Sequence, residues 1–153
     1  MYPIIRRESF SDTTFLWELL APDVARAAQP GHFVMLRLHE GGERIPLTVA
    51  DYDPERGTIT MVIQALGKTT LEMRDHFKAG DTIPDFVGPL GMPQHVSQTG
   101  HVVLVGGGLG VAPVFPQLRA FKEAGNRTTG IIGFRNKDLV FWEEKLGRYC
   151  DNL

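Results

Sequence analysis

Hydrophobic and polar positions change their pattern about two thirds of the way along the chain. In the first hundred residues, short β-rich segments alternate with turn signals. Segments 14–20 and 31–38 are separated by Gln29-Pro30-Gly31, and segments 44–52 and 58–65 are separated by a loop that contains Pro54 and Gly57. One helix is predicted near 70–78. Evenly spaced short strands of this kind favour an antiparallel barrel or sandwich.

From about His101 the pattern becomes that of strands alternating with helices. An apolar strand (102–105) precedes a segment with helical spacing of apolar residues (112–124), and a second apolar strand follows at 129–134. Segment 138–149 is predicted as an amphipathic helix, with Leu139, Trp142 and Leu146 on one side. We therefore expect a βαβ unit with a parallel sheet. Because the polar segment 94–100 precedes it, we expect two domains, residues 1–97 and 98–153.

The second unit is small for a domain of this class. Two parallel strands and two helices cannot cover both faces of a parallel sheet. We interpret residues 98–153 as the first part of a larger α/β domain, either a fragment or a subunit that another chain completes. A naturally minimal domain is the alternative.

Four glycines in five residues, 106–110, join the first apolar strand to its helix, and Pro113 follows. Glycine lets a ligand approach the backbone, a helix N-terminus favours a phosphate, and proline fits the first helical turn. The dinucleotide fingerprint G-x-G-x-x-G is not met, because Val111 or Pro113 stands where its third glycine would be. We favour a nucleotide site here over a turn that serves only strand–helix packing.

Two segments of the first part have groups suited to the same kind of ligand. In an extended segment Arg44, Pro46 and Thr48 share one face, which places a cation and a hydroxyl side by side. A surface arginine in an ordinary strand is the simpler interpretation of that segment. Residues 67–70 (Gly-Lys-Thr-Thr) open the predicted helix and form an anion site at its N-terminus. A capping box of Thr69 and Glu72 is compatible with this site, because a capped N-terminus still has free N–H groups.

Composition excludes several functional classes. Sixteen basic and eighteen acidic residues give a net charge of −2, so no basic surface for nucleic acid is expected. No apolar run reaches the length of a membrane span, and the first residues lack the features of a signal peptide, so we expect a cytoplasmic protein. The single cysteine, Cys150, excludes an internal disulfide or a cysteine metal cluster within these residues, and no metal site is expected.

Five segments, taken in chain order, resemble motifs of the ferredoxin–NADP reductase family. They are Arg44-x-Pro46-Leu47-Thr48, Gly67-Lys68-Thr69-Thr70, the apparent tight turn Gly88-Pro89-Leu90-Gly91, the glycine cluster through Pro113, and Gly133-Phe134-Arg135-x-x-Asp138-Leu139. The resemblance implies an antiparallel β-barrel that binds FAD, followed by part of an α/β domain that binds NAD(P)H. One departure is Leu47-Thr48, where relatives often have an aromatic residue before the serine or threonine.

The resemblance also implies roles for individual residues. Thr48 would lie near flavin N5, where the chemistry occurs. The flavin ring would lie along Pro46, Leu47 and Thr48, beside Gln64 and Ala65. The flavin pyrophosphate would be bound by Arg44, Gly67, Lys68, Thr69 and Thr70. The nicotinamide side would be lined by Gly108, Gly110, Val111 and Pro113, with Gly133 and Arg135 at the end of the next strand.

The function that follows from the resemblance is electron transfer between NAD(P)H and an iron–sulfur partner through FAD. The expected partner is a larger iron–sulfur or flavin oxidoreductase subunit, or ferredoxin, and a [2Fe–2S] centre is expected only in a further C-terminal part. We expect the 153 residues alone to be inactive or weakly active. Two alternatives are a flavin-binding or regulatory module without hydride transfer, and a stand-alone flavoprotein with a diffusible partner.

Overall fold

The computed structural model describes all 153 residues, which form ten strands and four α-helices. The strands are β1 (Tyr2–Ser9), β2 (Thr14–Leu20), β3 (Phe33–Arg37), β4 (Ile45–Thr48), β5 (Asp51–Asp53), β6 (Thr58–Gln64), β7 (Thr82–Ile83), β8 (Asp85–Leu90), β9 (His101–Gly107) and β10 (Arg127–Gly133). The helices are α1 (Pro22–Ala27), α2 (Lys68–His76), α3 (Val111–Glu123) and α4 (Glu143–Gly147), and 3₁₀ turns span Gly108–Gly110 and Lys137–Leu139.

Strands β1 to β8 form two antiparallel sheets. One has the order β5-β6-β2-β1-β7 and the other the order β4-β3-β8. The antiparallel expectation is confirmed. The closed barrel is not, because no hydrogen-bonded ladder joins the two sheets. The strand predicted over 44–52 is in fact two strands in different sheets, since the chain changes sheet at the buried residues Val49 and Ala50.

The two antiparallel sheets share a hydrophobic core. Alternate residues of β2, namely Phe15, Trp17 and Leu19, enter this core, while Leu16 points to the opposite face of the sheet. Burying each large apolar side chain contributes about 1.5–3 kcal/mol. The alternation therefore holds the sheets together on one face and leaves apolar residues on the other.

A second core forms where α3 and α4 cover that opposite face. Leu16, Ala50 and Val62 of the first part pack there with residues such as Phe115 and Leu118 of α3. The division of the chain into domains 1–97 and 98–153 stays a prediction. The shared core holds α3, and hence the turn before it, against the five-stranded sheet.

The βαβ unit predicted after His101 is confirmed. Strands β9 and β10 pair in parallel from His101↔Arg127 to Gly107↔Gly133, and α3 connects them. Asn152 adds a parallel bridge to Thr129 of β10. One face of this small sheet packs towards α3, whereas Val103, Val105 and Ile131 are 51%, 69% and 53% exposed.

The single helix predicted over 138–149 is wrong. The chain forms a 3₁₀ turn, reverses at Trp142 with φ of 61°, and then forms the short helix α4. The reversal lets two adjacent aromatic residues pack against one ring: Phe141 stacks on Phe10 at 4.9 Å between centroids, and Trp142 meets the same ring edge-on at 6.2 Å. Tertiary packing thus overrides the helical spacing.

The tight turn predicted at 88–91 is also different. Gly88, Pro89 and Leu90 lie within strand β8, and only Gly91, with φ of 87°, has a turn conformation. A Cβ at Gly88 would lie 2.7 Å from Cγ1 of Val34, so glycine is required there by close packing of neighbouring strands. Strands β1 and β7 and helix α1 were not predicted, and α2 begins at Lys68 rather than near 70.

No helix is long and apolar enough to span a membrane; the longest, α3, has 13 residues.

Candidate functional site: a groove between the two parts

A groove of about 300 Å³ lies between strand β4, the end of β6 and the start of α3. We call it the central groove; it is lined by Pro46, Leu47, Thr48, Val62, Ile63, Gln64, Leu66, Thr70, Leu109, Gly110, Ala112 and Pro113. Segments nominated separately in the sequence therefore meet at one place. A second cavity of about 300 Å³, the side pocket, shares Gln64 and Leu109 with it and is otherwise lined by Thr13, Thr14, Gly108, Phe134, Arg135, Leu139 and Phe141.

Strand β4 presents one polar face to the central groove. Ile45 and Leu47 pack against the first core, while Pro46 and Thr48 are exposed, as the alternation of a strand requires. The hydroxyl of Thr48 and the side-chain amide of Gln64 make no hydrogen bond within the chain. Both groups are therefore free to bind a ligand in the groove.

The N-terminus of α2 has free hydrogen-bond donors. The backbone N–H groups of Lys68, Thr69 and Thr70 have no acceptor in the chain, as expected for the first turn of a helix. The hydroxyl of Thr70 accepts hydrogen bonds from the N–H groups of Leu66 and Gly67, each at 3.0 Å. The first turn is thus rigidly held while its own donors can bind an anion.

The predicted capping box of Thr69 and Glu72 is wrong. Because α2 begins at Lys68, the residue before the helix is Gly67, and Thr69 lies inside the first turn. Thr69 is 8% exposed and donates a hydrogen bond from its hydroxyl to Oε2 of Glu43, at 2.6 Å. The carboxylate of Glu72 instead contacts Nε2 of His39. The hydroxyl of Thr69 is therefore engaged by the chain itself.

The Arg44 side chain reaches from the start of β4 to β8, the opposite edge strand of the three-stranded sheet. Its Nη2 lies 2.8 Å from Oδ2 of Asp85 on β8, and the same carboxylate oxygen lies 3.2 Å from Nε of Arg37. This Nε is buried without a well-aligned hydrogen bond, so the Arg37–Asp85 contact is an ion pair only. The Arg44 side chain is 55% exposed and does not line the central groove. Its remaining donors face solvent.

The glycines of the 106–110 turn have two different roles. A Cβ at Gly106 would lie 2.9 Å from the Cα of Val111, so this glycine permits close packing of strand and helix. At Gly108 and Gly110 nothing lies within 4 Å of an added Cβ, and Gly108 has φ of +53°. The latter two expose backbone to the side pocket and the central groove respectively. Gly106 thus fits the packing interpretation, whereas Gly108 and Gly110 leave room for a ligand, and the nucleotide site stays a prediction.

Some nominated residues lie outside these cavities. Val111 is 0% exposed in the second core and Ala65 is 5% exposed in the first, so their side chains do not reach a ligand. Lys68 lines a separate shallow pocket beside α2, and Gly133 lines neither cavity, although Arg135 lines the side pocket. The side chain of Arg135 has no partner in the chain.

Sequence reasoning did not nominate several lining residues. Leu66 is 75% exposed beside the α2 N-terminus. In the sequence it stands out only as an apolar residue before Gly67. Leu109 and Ala112 stood within the glycine segment but were not singled out. Phe134 stood within the fifth motif without a role of its own, whereas Thr13 and Thr14 reach the side pocket through tertiary packing, for which no local signal exists.

A larger cleft of about 600 Å³ is polar and is lined by 14 residues, only two of them hydrophobic. In its wall the carboxylate of Asp51 binds two cations: Oδ1 lies 2.7 Å from Nη1 of Arg119, and Oδ2 lies 2.6 Å from Nζ of Lys145. Burial lowers the pKa of Arg119, but the charge of Asp51 and the hydrogen bonds to Asp51 and Tyr52 together more than offset burial and leave that pKa raised. Acidic and basic side chains both line this cleft, so it differs in character from the half-apolar central groove.

Comparison with known proteins gives consistent relatives, although no family model matches the chain. It is 45% identical over 150 residues to a homologue of the electron transfer subunit of dihydroorotate dehydrogenase B (NAD(+)) from Thermotoga maritima, covering 98% of this chain and 53% of that protein. It is 34% identical over 134 residues to the electron transfer subunit of dihydroorotate dehydrogenase B (NAD(+)) from Bacillus cereus (strain Q1), covering 84% of this chain and 51% of that protein.

Solved structures agree with these relatives. An NADH-dependent reduced ferredoxin-NADP oxidoreductase structure, described for flavin-based electron bifurcation, superposes with a TM-score of 0.95 at 45% identity, covering 100% of this chain and 55% of that one. Phthalate dioxygenase reductase shares the fold with a TM-score of 0.76 at 16% identity, over 99% of this chain and 50% of that one.

The fold is thus that of a ferredoxin reductase-like protein, and the relatives confirm the family resemblance read from the five motifs. Within that class, the chain is a homologue of the electron-transfer subunits of dihydroorotate dehydrogenase B and of the NADH-dependent ferredoxin-NADP oxidoreductase. The chain spans about half the length of the relatives it matches.

Proposed function

We propose that this chain binds FAD in the central groove and is the flavin-carrying electron-transfer component of an NAD(P)H-dependent oxidoreductase. The observation that carries the proposal is the meeting of a free hydroxyl on Thr48, a free amide on Gln64 and the α2 N-terminus around one half-apolar groove. An apolar groove with a few polar groups suits a flat aromatic ring with hydrogen-bonding edges.

The residues present fit FAD. Pro46 and Leu47 offer apolar contact for the ring, and the hydroxyl of Thr48 would donate a hydrogen bond to ring atom N5. The N–H groups at the start of α2 bind one side of the diphosphate, and Arg44 supplies a positive charge from the edge of β4. When bound, FAD supplies the capacity to accept a hydride and to release electrons one at a time.

The side pocket suits the nicotinamide nucleotide. Gly108 opens the backbone at its edge, and the unpaired guanidinium of Arg135 is available to a phosphate. Since Gln64 and Leu109 line both cavities, two ligands bound side by side would be in contact. The contribution of the chain to hydride transfer is mainly to orient the two rings and exclude water between them. No acid–base side chain is required.

The proposed partner subunit and electron acceptor lie outside these 153 residues. We propose that residues 1–97 are the FAD-binding domain and that residues 98–153 are the first part of the NAD(P)-binding domain. By analogy with the subunit names of its relatives, the protein assembles with a larger oxidoreductase subunit. An iron–sulfur centre or ferredoxin then receives the electrons. A [2Fe–2S] centre would belong to the further part that the longer relatives have.

Titration of the purified chain with FAD tests the proposal. We expect quenching of flavin fluorescence and a resolved flavin absorption band on binding. A chain that is folded by circular dichroism yet does not quench FAD fluorescence would contradict it. Anaerobic titration with NADH then separates a reductase from a flavin-binding or regulatory module, because only the reductase bleaches the flavin band.

A further inference from the structure

The carboxylate of Asp51 joins the two parts of the chain at a point close to the central groove. Asp51 opens β5, three residues after Thr48, which lines the groove from β4. Its two cationic partners belong to the other part: Arg119 to α3 and Lys145 to α4. Both contacts are shorter than 2.8 Å, and the side chains of Asp51 and Arg119 are 18% and 17% exposed.

Aromatic rings reinforce this connection. The guanidinium of Arg119 lies 4.9 Å from the ring of Tyr52 and 5.2 Å from that of Phe115. The ammonium of Lys145 lies 4.5 Å from the ring of Phe115 and 4.4 Å from that of Trp142. The two cations are therefore fixed in position, and they fix Asp51 in turn.

Helix α3, which carries Arg119, begins directly after the glycine turn 106–110. Gly110, Ala112 and Pro113 lie at the start of α3 and line the groove opposite Thr48, whereas Arg119 lies two turns further along. A helix transmits a constraint along its length, so holding Arg119 against β5 also sets where the glycine turn lies relative to β4. The apolar contacts of Leu16, Ala50 and Val62 hold the helix down but are not directional.

We infer that Asp51 is a positioning residue: by binding Arg119 and Lys145 it sets the spacing between Thr48 and the glycine turn across the central groove. The inference rests on the proposed function for its consequence, since that spacing decides whether two bound rings touch. The geometric part holds for the chain without ligand. Removing the carboxylate leaves two partly buried cations side by side without their counter-ion, so the constraint is lost.

Spin-label distance measurement tests the geometric part directly. Labels are attached at Thr82→Cys on β7 and Val103→Cys on β9, both exposed strand positions in different parts, in a Cys150→Ala background. We expect a single narrow distance peak that is lost in Asp51→Asn and restored in Asp51→Glu, which keeps both carboxylate oxygens. Lys122→Gln is the matched control, because its ion pair with Asp151 at 2.7 Å joins α3 only to the end of the chain. It should retain the narrow peak.

FAD affinity separates positioning from folding. The groups proposed to bind FAD, namely Arg44, Thr48, Gln64 and the α2 N-terminus, all belong to the first part of the chain, so Asp51→Asn should change FAD affinity by less than about threefold. An unchanged distance peak in a folded Asp51→Asn chain overturns the inference, and so does a loss of FAD affinity of about tenfold or more, because Asp51 would then support the FAD site itself. If Asp51→Asn does not fold, Lys145→Gln removes one of the two contacts and must still broaden the peak. Failure of the wild-type chain to bind FAD contradicts the proposed function alone, since the distance measurement needs no ligand.

Discussion

The guanidinium of Arg44 is bound to the carboxylate of Asp85, with Nη2 2.8 Å from Oδ2. The residue that the family resemblance assigns to the flavin diphosphate is therefore already held in one orientation by β8, the opposite edge strand of the same sheet. Asp85 occupies one of its five N–H donors, which leaves others for a phosphate. An arginine held in this way loses less conformational entropy on binding than a free one.

Replacing Arg44 with alanine should weaken FAD binding by about tenfold to a hundredfold, because a charged hydrogen bond contributes roughly 1.5–3 kcal/mol. Lys68→Ala should cost less, on the order of 1 kcal/mol, because Lys68 is exposed and the N–H groups of α2 remain. Flavin content after purification and fluorescence titration measure both. If Lys68→Ala loses more flavin than Arg44→Ala, Arg44 is not the main phosphate anchor.

FAD should bind more tightly than FMN. The hydrogen bond from Thr69 to Glu43 brings residues 67–70 beside Arg44, so the two phosphate-binding features suit the two phosphates of a dinucleotide, whereas FMN has only one. Competition titrations of the wild-type chain with the two flavins measure the preference. Equal affinities would show that the diphosphate is not recognised.

Gly106→Ala and Gly110→Ala should differ although both lie in one turn. At Gly106 the new methyl group meets the Cα of Val111 at 2.9 Å, and overpacking of this kind costs about 1–3 kcal/mol. Gly110 has helical angles (φ −63°, ψ −10°) and open space, so alanine leaves the melting temperature unchanged or raised. Thermal unfolding of both variants compares them. A Gly110→Ala chain as unstable as Gly106→Ala would contradict the two roles assigned to these glycines.

Asp151 should stabilise the fold in a pH-dependent way. The Lys122 ammonium, and next the N–H of Thr128, lower the pKa of Asp151 to about 2. Its contribution is therefore fully present above its ordinary value of 3.8 and is lost as the pH falls through about 2. The difference in melting temperature between wild type and Asp151→Asn should shrink between these two pH values. Asp138→Asn, which removes a carboxylate without an ion-pair partner, should show no such trend.

Local sequence patterns determined much of the architecture. Short β-rich segments between turn signals indicated the antiparallel sheets, and the apolar run before the glycine cluster indicated the βαβ unit, because both signals lie within a few residues of chain. The same holds for the exposed face of Arg44, Pro46 and Thr48. Five motifs in order also pointed to the correct family.

Only the tertiary structure decided how the segments meet. The helix predicted over 138–149 gave way to a reversal at Trp142, since packing of two aromatic rings on Phe10 outweighs helical propensity. The burial of Val111 and the pairing of Arg44 with Asp85 could not be read from the sequence either. Asp51 had no local signal at all, because its partners lie 68 and 94 residues further along the chain. Such contacts depend on how the sheets and helices pack, and no local pattern records that arrangement.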